Sequence, residues 1–315
     1  MKDSFGRKID YLRLSVTDRC NLRCIYCMPK GFPACARPHE ALDPGLIRRT
    51  LAVCKRHGLR KVRFTGGEPL LRADIAGLVE SARALGIEDI SLTTNGLLLG
   101  RLARGLKRAG LGRVNVSLDT LVPERYAFIT GGGKIRDALD GIDEAERAGL
   151  GPVKINMIPI RGINDDEVVS FARLTLSRPV HVRFIELMPV GEGAWSGRRR
   201  VECAEAARRI TSALGGLAPL GEAGSSRNYR LEGAKGVLGF ISPMSRHFCG
   251  SCNRLRVTAR GTLRPCLFSK NEIDLRAAGS EEELEALLLS GVRGKPRGRP
   301  DGAPLPLEAM SQIGG

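Results

Sequence analysis

Apolar and polar positions alternate with a period of two in a series of short segments, and a longer stretch of helical periodicity follows each one. The series runs "YLRLSV" then a helix near 44–57, "KVRFTG" then 73–85, "DISLTTN" then 98–109, "RVNVSLD" then 134–148, "VKINMIPI" then 165–177, and finally "HVRFIELMP". Six strands alternating with helices predict a parallel sheet, open or curled into part of a barrel. Strands buried on both faces are almost wholly apolar, and these are not. One face carries Leu12, Leu14 and Val16; Val62 and Phe64; Ile90 and Leu92; Val114, Val116 and Leu118; Val153 and Ile155. The other carries Arg13 and Ser15; Arg63 and Thr65; Ser91 and Thr93; Asn115, Ser117 and Asp119; Lys154 and Asn156. Helices can cover the first face, which leaves the second lining a shared space. The pattern predicts a wide, open barrel with a polar ligand in its lumen.

After about residue 195 the rhythm changes to a basic turn "SGRRR", a helix near 202–214, a Gly/Ser-rich loop "LGEAGSSRN", and strand-like pieces "YRLEG", "GVLGFISP" and "RLRVTARGTLRPCLF". The expected division is a core over 1–195, a smaller mixed α+β region over 196–290 that closes the barrel, and a Gly/Pro-rich tail over 291–315.

Charge and composition narrow the ligand. The chain has 315 residues, 42% of them apolar, and a net charge of +16. No window reaches the roughly 18 unbroken apolar residues of a membrane span, and the start "MKDSFGRKIDYLRLSV" has no apolar signal core. A cytoplasmic protein with no membrane partner is expected. A basic chain suggests a polyanion, but aromatics are only 4% and the basic residues are spread along the whole chain. That argues against a nucleic acid, which needs stacking platforms and a basic stripe. A small polyanion such as a nucleotide triphosphate fits, and runs such as "GRRRVE" and "RGKPRGRPDG" read as solvated surface.

Nine cysteines without an export signal read as metal ligands or buried thiols rather than disulfides. "CNLRCIYC" spaces Cys20, Cys24 and Cys27 as C-x3-C-x2-C directly after the first strand, and near the C-terminus Cys249, Cys252 and Cys266 stand as C-x2-C-x13-C. A structural zinc wants four ligands, whereas three thiolates on a four-iron cube leave one iron open. Cys54, in "LAVCKRHG", reads as a buried helix thiol, and Cys35 and Cys203 match no motif. The four histidines form no pair with metal spacing.

The first trio, with Tyr26 before its last cysteine, resembles the signature of the radical S-adenosylmethionine (SAM) enzymes. "FTGGEP", with Gly66, Gly67, Glu68 and Pro69, resembles that family's loop for the methionine amine. The family's fold is a partial (β/α)6 TIM-type barrel, in agreement with the alternation above. A narrower resemblance runs almost the whole chain, through "LRLSVTDRCNLRCIYCMP", "VRFTGGEPLLR", "LTTNG", "NVSLDT", "FIELMPVG", "FCGSCNRLRVTARGTLRPCLF" and the terminal "IGG". It is to the GTP 3′,8-cyclases of molybdenum cofactor biosynthesis.

That resemblance implies two [4Fe-4S] clusters, SAM, and GTP as substrate. A 5′-deoxyadenosyl radical would abstract the ribose 3′ hydrogen of GTP, and the C3′ radical would attack C8 of guanine. It further implies Cys20, Cys24 and Cys27 as ligands of the first cluster, and Cys249, Cys252 and Cys266 as ligands of the second. SAM contacts would come from Tyr26, Gly67, Ser117 and Met188, and GTP contacts from Arg13, Arg63, Thr93, Lys154, Arg254, Leu255 and Arg256. The terminal Gly314 and Gly315 would assist in the active site. The implied partners are a small reductant protein of ferredoxin or flavodoxin type and the downstream cyclic pyranopterin monophosphate synthase, with the chain a monomer or a homodimer. Two other readings stay open on the residues alone: a radical SAM enzyme with an auxiliary cluster acting on RNA or a peptide, and a zinc- and nucleic-acid-binding protein without catalysis.

Overall fold

The structure, a computed structural model, describes residues 1–27, 42–188, 197–269 and 271–299. Six strands, β1 (Tyr11–Ser15), β2 (Lys61–Thr65), β3 (Asp89–Thr94), β4 (Arg113–Ser117), β5 (Lys154–Met157) and β6 (His181–Ile185), lie side by side in chain order, each parallel to the next. Between them run α1 (Pro44–Arg56), α2 (Ile75–Ala84), α3 (Leu99–Ala109), α4 (Pro123–Thr130), α5 (Ile135–Arg147) and α6 (Val168–Ser177). This is the repeating β/α unit that the alternation predicts.

The apolar faces do what the pattern requires. Leu12, Leu14, Phe64, Leu92, Val114 and Val116 are fully buried in one core under the helices. Helix starts are chemically marked: the Asp43 carboxylate accepts from Leu46 N at 2.7 Å with Pro44 at the first helical position, satisfying an orphan donor. Side chains from all six strands line a single cavity, so the sheet curls around its polar face.

The rest of the chain extends this sheet at both edges. Beyond β6, α7 (Cys203–Leu214) leads to β7 (Leu217–Ala223), β8 (Ser226–Leu231) and β9 (Val237–Ile241), with β9 parallel to β6. At the other edge β10 (Arg254–Val257) lies parallel to β1, followed by β11 (Thr262–Arg264), β12 (Ile273–Asp274) and the helix α8 (Glu281–Arg293). The result is one mixed twelve-stranded sheet in the order β12-β11-β10-β1-β2-β3-β4-β5-β6-β9-β8-β7, not closed among the described residues. The segment from residue 196 therefore shares its sheet with residues 1–195.

Two elements differ from the sequence reading. The Gly/Ser-rich stretch near 221–228 is not a loop but most of the β7–β8 hairpin, with a register shift between Pro219 and Gly221 and a turn at Gly224, φ 64°. The helix α4 was also not anticipated. It is short, and Gly131 ends it at φ 73°.

Candidate active site

The first cysteine loop is held by the ends of three strands. After β2 the backbone of Gly66 and Gly67 lies flat against residues 17–19: Gly67 N donates to Thr17 O and Glu68 N to Arg19 O, both at 2.7 Å. A Cβ on Gly66 would stand 2.4 Å from Thr17 O, and one on Gly67 2.3 Å from Arg19 O, so only glycine permits this approach. Glu68 then turns inward, fully buried, and accepts from Leu70 N, the Thr94 hydroxyl and Asn95 N at 3.0, 2.8 and 2.7 Å. Burial pushes its carboxyl up to about 7 against those three donors. The Asn95 amide in turn donates to Asn21 Oδ1 at 2.7 Å and reaches Cys20 Sγ at 4.0 Å. From β4, Asp119 accepts the Tyr26 hydroxyl at 2.6 Å and Ile158 N at 2.8 Å. Arg23 N and Ile25 N donate to the Thr130 and Ile129 carbonyls at the end of α4.

Cys20, Cys24 and Cys27 thus face one side of the cavity, all reduced and partly exposed. Burial pushes the Cys20 thiol up. It pushes Cys24 up further, and there Cys27, Asp119 and Cys20 add their negative charge. Three thiolates so close are stable only with a cationic centre between them.

The second trio faces the same cavity. Cys249 and Cys252 flank a tight turn, with Cys252 N donating to Cys249 O at 3.1 Å, and the β10–β11 hairpin returns the chain to Cys266. Burial works against the Cys252 thiolate, but the Arg254 and Lys295 charges outweigh it and draw the thiol down to about 7. Among the described residues no three His, Cys, Asp or Glu side chains converge on one point fit for a single metal ion.

Between the trios lies a cavity of about 660 Å³ with a cationic floor. Strand register sets Arg256 beside Arg13 and Arg13 beside Arg63, with Lys154 and Arg183 on the neighbouring parallel strands β5 and β6. Burial and mutual repulsion hold Arg13 well below the usual guanidinium range. They bring Arg256 to about 10, Arg183 to about 9 and Lys154 to about 7. The Arg63 guanidinium lies 5.6 Å from the Tyr11 ring, and that of Arg254 lies 4.8 Å from Phe248. The Tyr11 hydroxyl, Thr65 Oγ1 and Thr93 Oγ1 are buried without a hydrogen-bond partner and belong to cavity-lining residues. Such orphaned hydroxyls beside a cluster of buried cations suit an anionic, hydrogen-bonding ligand.

Arg13, Arg63, Thr93, Lys154, Arg254 and Arg256 all line the cavity, as do Tyr26, Gly67, Ser117 and Met188 and the six cysteines. Leu255 turns the other way into the core, as alternation within β10 demands, so it can offer a ligand only its backbone. Gly314, Gly315 and Cys35 lie outside the described residues. Cys54 and Cys203 are buried away from the trios, Cys203 reaching the Phe184 and Ile241 carbonyls. The sequence reading did not single out Lys61, Arg183 or Lys295, which also line the cavity. Lys61 and Arg183 continue the polar alternation of "KVRFT" and "HVRFI" and could have been found from it, whereas Lys295 comes from beyond α8 with no local signal.

The profile of the Radical SAM superfamily matches residues 14–175, and that of Molybdenum Cofactor Synthesis C matches residues 180–300. The chain is 48% identical over 323 positions to a GTP 3′,8-cyclase of Thermodesulfovibrio yellowstonii, with 100% of each chain covered. It is 50% identical over 305 positions to a GTP 3′,8-cyclase of Pelotomaculum thermopropionicum, with 94% of each covered. Streptococcus suis SuiB bound to S-adenosylmethionine superposes with a TM-score of 0.66 at 15% identity, over 88% of this chain and 65% of that one. This chain therefore spans less than two thirds of SuiB. Native anSMEcpe with bound AdoMet superposes at 0.61 and 13% identity, over 91% and 81% of the two chains. These two likenesses speak for the fold alone.

Replacing Gly67 with Ala forces a Cβ into the Arg19 carbonyl and should lower stability by about 2–4 kcal/mol in urea unfolding. Wild-type stability in that variant would show that the two loops do not pack as described.

Proposed function

The chain belongs to the Radical SAM superfamily and within it to the GTP 3′,8-cyclases, and we propose that it converts GTP to (8S)-3′,8-cyclo-7,8-dihydroguanosine 5′-triphosphate in the first step of molybdenum cofactor biosynthesis. The observation that carries this reading is one cavity with a cysteine trio on either side and a row of arginines between them. Each trio fits a [4Fe-4S] cluster with an open iron. When bound, the first cluster and SAM supply a 5′-deoxyadenosyl radical.

The chain's own residues then have separable tasks. Cys20, Cys24 and Cys27 would hold the first cluster, with Tyr26, Gly67, Ser117 and Met188 around the SAM. Cys249, Cys252 and Cys266 would hold the second cluster, against which the guanine rests. Arg13, Arg63, Arg254 and Arg256 offer forked donors that pair with phosphate oxygens two at a time, and Lys154 adds a point charge. Thr93 Oγ1 supplies a free hydrogen-bonding group, and Leu255 contributes through its backbone. We assign the tail glycines Gly314 and Gly315 an assisting role, and the source of electrons to a small protein of ferredoxin or flavodoxin type. The cyclic pyranopterin monophosphate synthase is the downstream partner. No described helix is long and apolar enough to cross a membrane, and we place the protein in the cytoplasm.

Anaerobically loaded protein given a reductant, SAM and GTP should form 5′-deoxyadenosine and the cyclised nucleotide together. With GTP carrying deuterium at C3′, the label should appear in the deoxyadenosine. Deoxyadenosine formed at the same rate without GTP, or with an RNA or peptide in its place, would overturn the assignment. Cys266→Ala should reduce iron from about eight to about four per chain and abolish cyclisation.

Lys154 gives the site a pH dependence of definite sign. Burial and the Arg183, Arg113 and Arg63 charges hold its ammonium near 7 in the empty cavity, so a triphosphate that draws the proton back binds with proton uptake above that pH. GTP affinity should therefore fall by up to about tenfold per unit as pH rises from about 7 to 9. Lys154→Met should remove this slope relative to wild type, as read by calorimetry in buffers of different ionisation enthalpy. An unchanged slope would place the titration elsewhere.

A further inference from the structure

The second cysteine set is assembled from separate stretches, Cys249 with Cys252 and then Cys266 after thirteen intervening residues. Two cations outside the motif join these stretches. Lys295, beyond α8, is almost wholly buried, and its Nζ donates to Arg254 O and Pro265 O, each at 2.8 Å. Arg254 stands two residues after Cys252, and Pro265 immediately precedes Cys266. One ammonium therefore bridges both arms, and its positive charge acts on the Cys252 thiol.

The next two residues are secured from the start of the chain. Arg7 donates to the Pro296 carbonyl at 2.6 Å, to the Arg297 carbonyl at 3.0 Å and to the Cys249 carbonyl at 2.8 Å. The buried Asp3 fixes this guanidinium, accepting from Arg7 Nε at 2.6 Å and from the Arg7 and Phe5 amides at 2.9 and 3.0 Å. The segment then passes so close that a Cβ on Gly298 would lie 3.8 Å from Cys249 Cβ. Arg299 reaches Met244 Sδ at 3.6 Å and lies over the cavity-lining Phe268, 4.7 Å from its centroid. All three cysteines are thus tied to residues 295–297, Cys252 and Cys266 through the nearby Arg254 and Pro265 carbonyls that Lys295 holds, and Cys249 through Arg7.

We propose that Arg7 and Lys295 are positioning residues that preassemble the second cysteine set, using residues 295–297 as a bracket between the two ends of the chain. The proposal rests on the reading of that set as a cluster site. Cluster insertion demands thiols already close to their final corners, and carbonyl-bound cations fix the backbone without competing for iron. The Lys295 charge beside Cys252 also favours the reduced, more negative cluster, because opposite charge stabilises added electrons.

The test compares wild type with Lys295→Met, Arg7→Gln, Arg7→Lys and the reference Cys266→Ala, all full-length and anaerobically reconstituted. Iron per chain, release of iron to a chelator, and the reduction potential of each cluster by EPR are measured. Signals are assigned by their loss in Cys266→Ala or in Cys24→Ala. Lys295→Met is expected to lose second-set iron, or to release it at least tenfold faster and with a more negative potential, while the first signal and its response to SAM stay unchanged. Arg7→Gln should release second-set iron faster, with Arg7→Lys restoring much of the wild-type rate. Wild-type second-set iron, release rate and potential in both Lys295→Met and Arg7→Gln would overturn the proposal. If Lys295→Met loses the first signal as well, its fold is compromised and Arg7→Gln against Arg7→Lys decides alone. If Cys266→Ala keeps the full iron content, the cluster reading itself fails, which is a different result from failure of the bracket.

Discussion

Parallel pairing at one edge of the barrel sets Arg256, Arg13 and Arg63 side by side on the polar face that lines the cavity. Like charges opposite one another on adjacent strands oppose folding, and burial makes each guanidinium still harder to keep charged. The sheet tolerates this because its other face is nearly continuous apolar core, from Leu12 and Leu14 through Phe64 and Leu92 to Val116. The packed face supplies the stability, and the crowded lumen cations create a demand for negative charge, which in the proposed function a triphosphate would meet.

The two cysteine sets stand on either side of this demand and are supported differently. The first is pressed against the ends of β2, β3 and β4 by close backbone approach at Gly66 and Gly67 and by the Glu68 and Asp119 carboxylates. Burial pushes the Cys20 and Cys24 thiols up, and at Cys24 the neighbouring Cys27, Asp119 and Cys20 charges add to it, so these thiols stay protonated until a cationic centre takes the place of their protons. The second set is surrounded by cations, Arg254 and Lys295 above all, which draw Cys252 down. The two cysteine sets in one cavity thus sit in opposite electrostatic settings, carboxylates beside the first and cations beside the second.

Much of this was legible in the sequence because the information is local. A period of two separated the faces of five strands correctly, and the cysteine spacings located both trios before any geometry was known. For Leu255 the resemblance names a residue but not the atoms it would use: it lies between two cavity arginines, and alternation turns its side chain into the core and leaves its backbone. The β7–β8 hairpin reads as a loop in sequence because its glycines and serines, which signal turns, stand within and between its strands. The insertion of β10 beside β1, and the joining of Arg7 to residues 296 and 297, depend on contacts between chain segments more than 240 residues apart. No local pattern encodes such contacts, and Lys295 in "RGKPRG" reads as one more solvated cation until the fold buries it.

The division of labour between the two sets can be read in one measurement: EPR of the reduced, fully loaded protein with each ligand added separately. GTP alone should shift the signal that Cys266→Ala removes and leave the other unchanged, while SAM alone should shift only the signal that Cys24→Ala removes. A shift of the first signal by GTP, or no response of the second to it, would contradict the account.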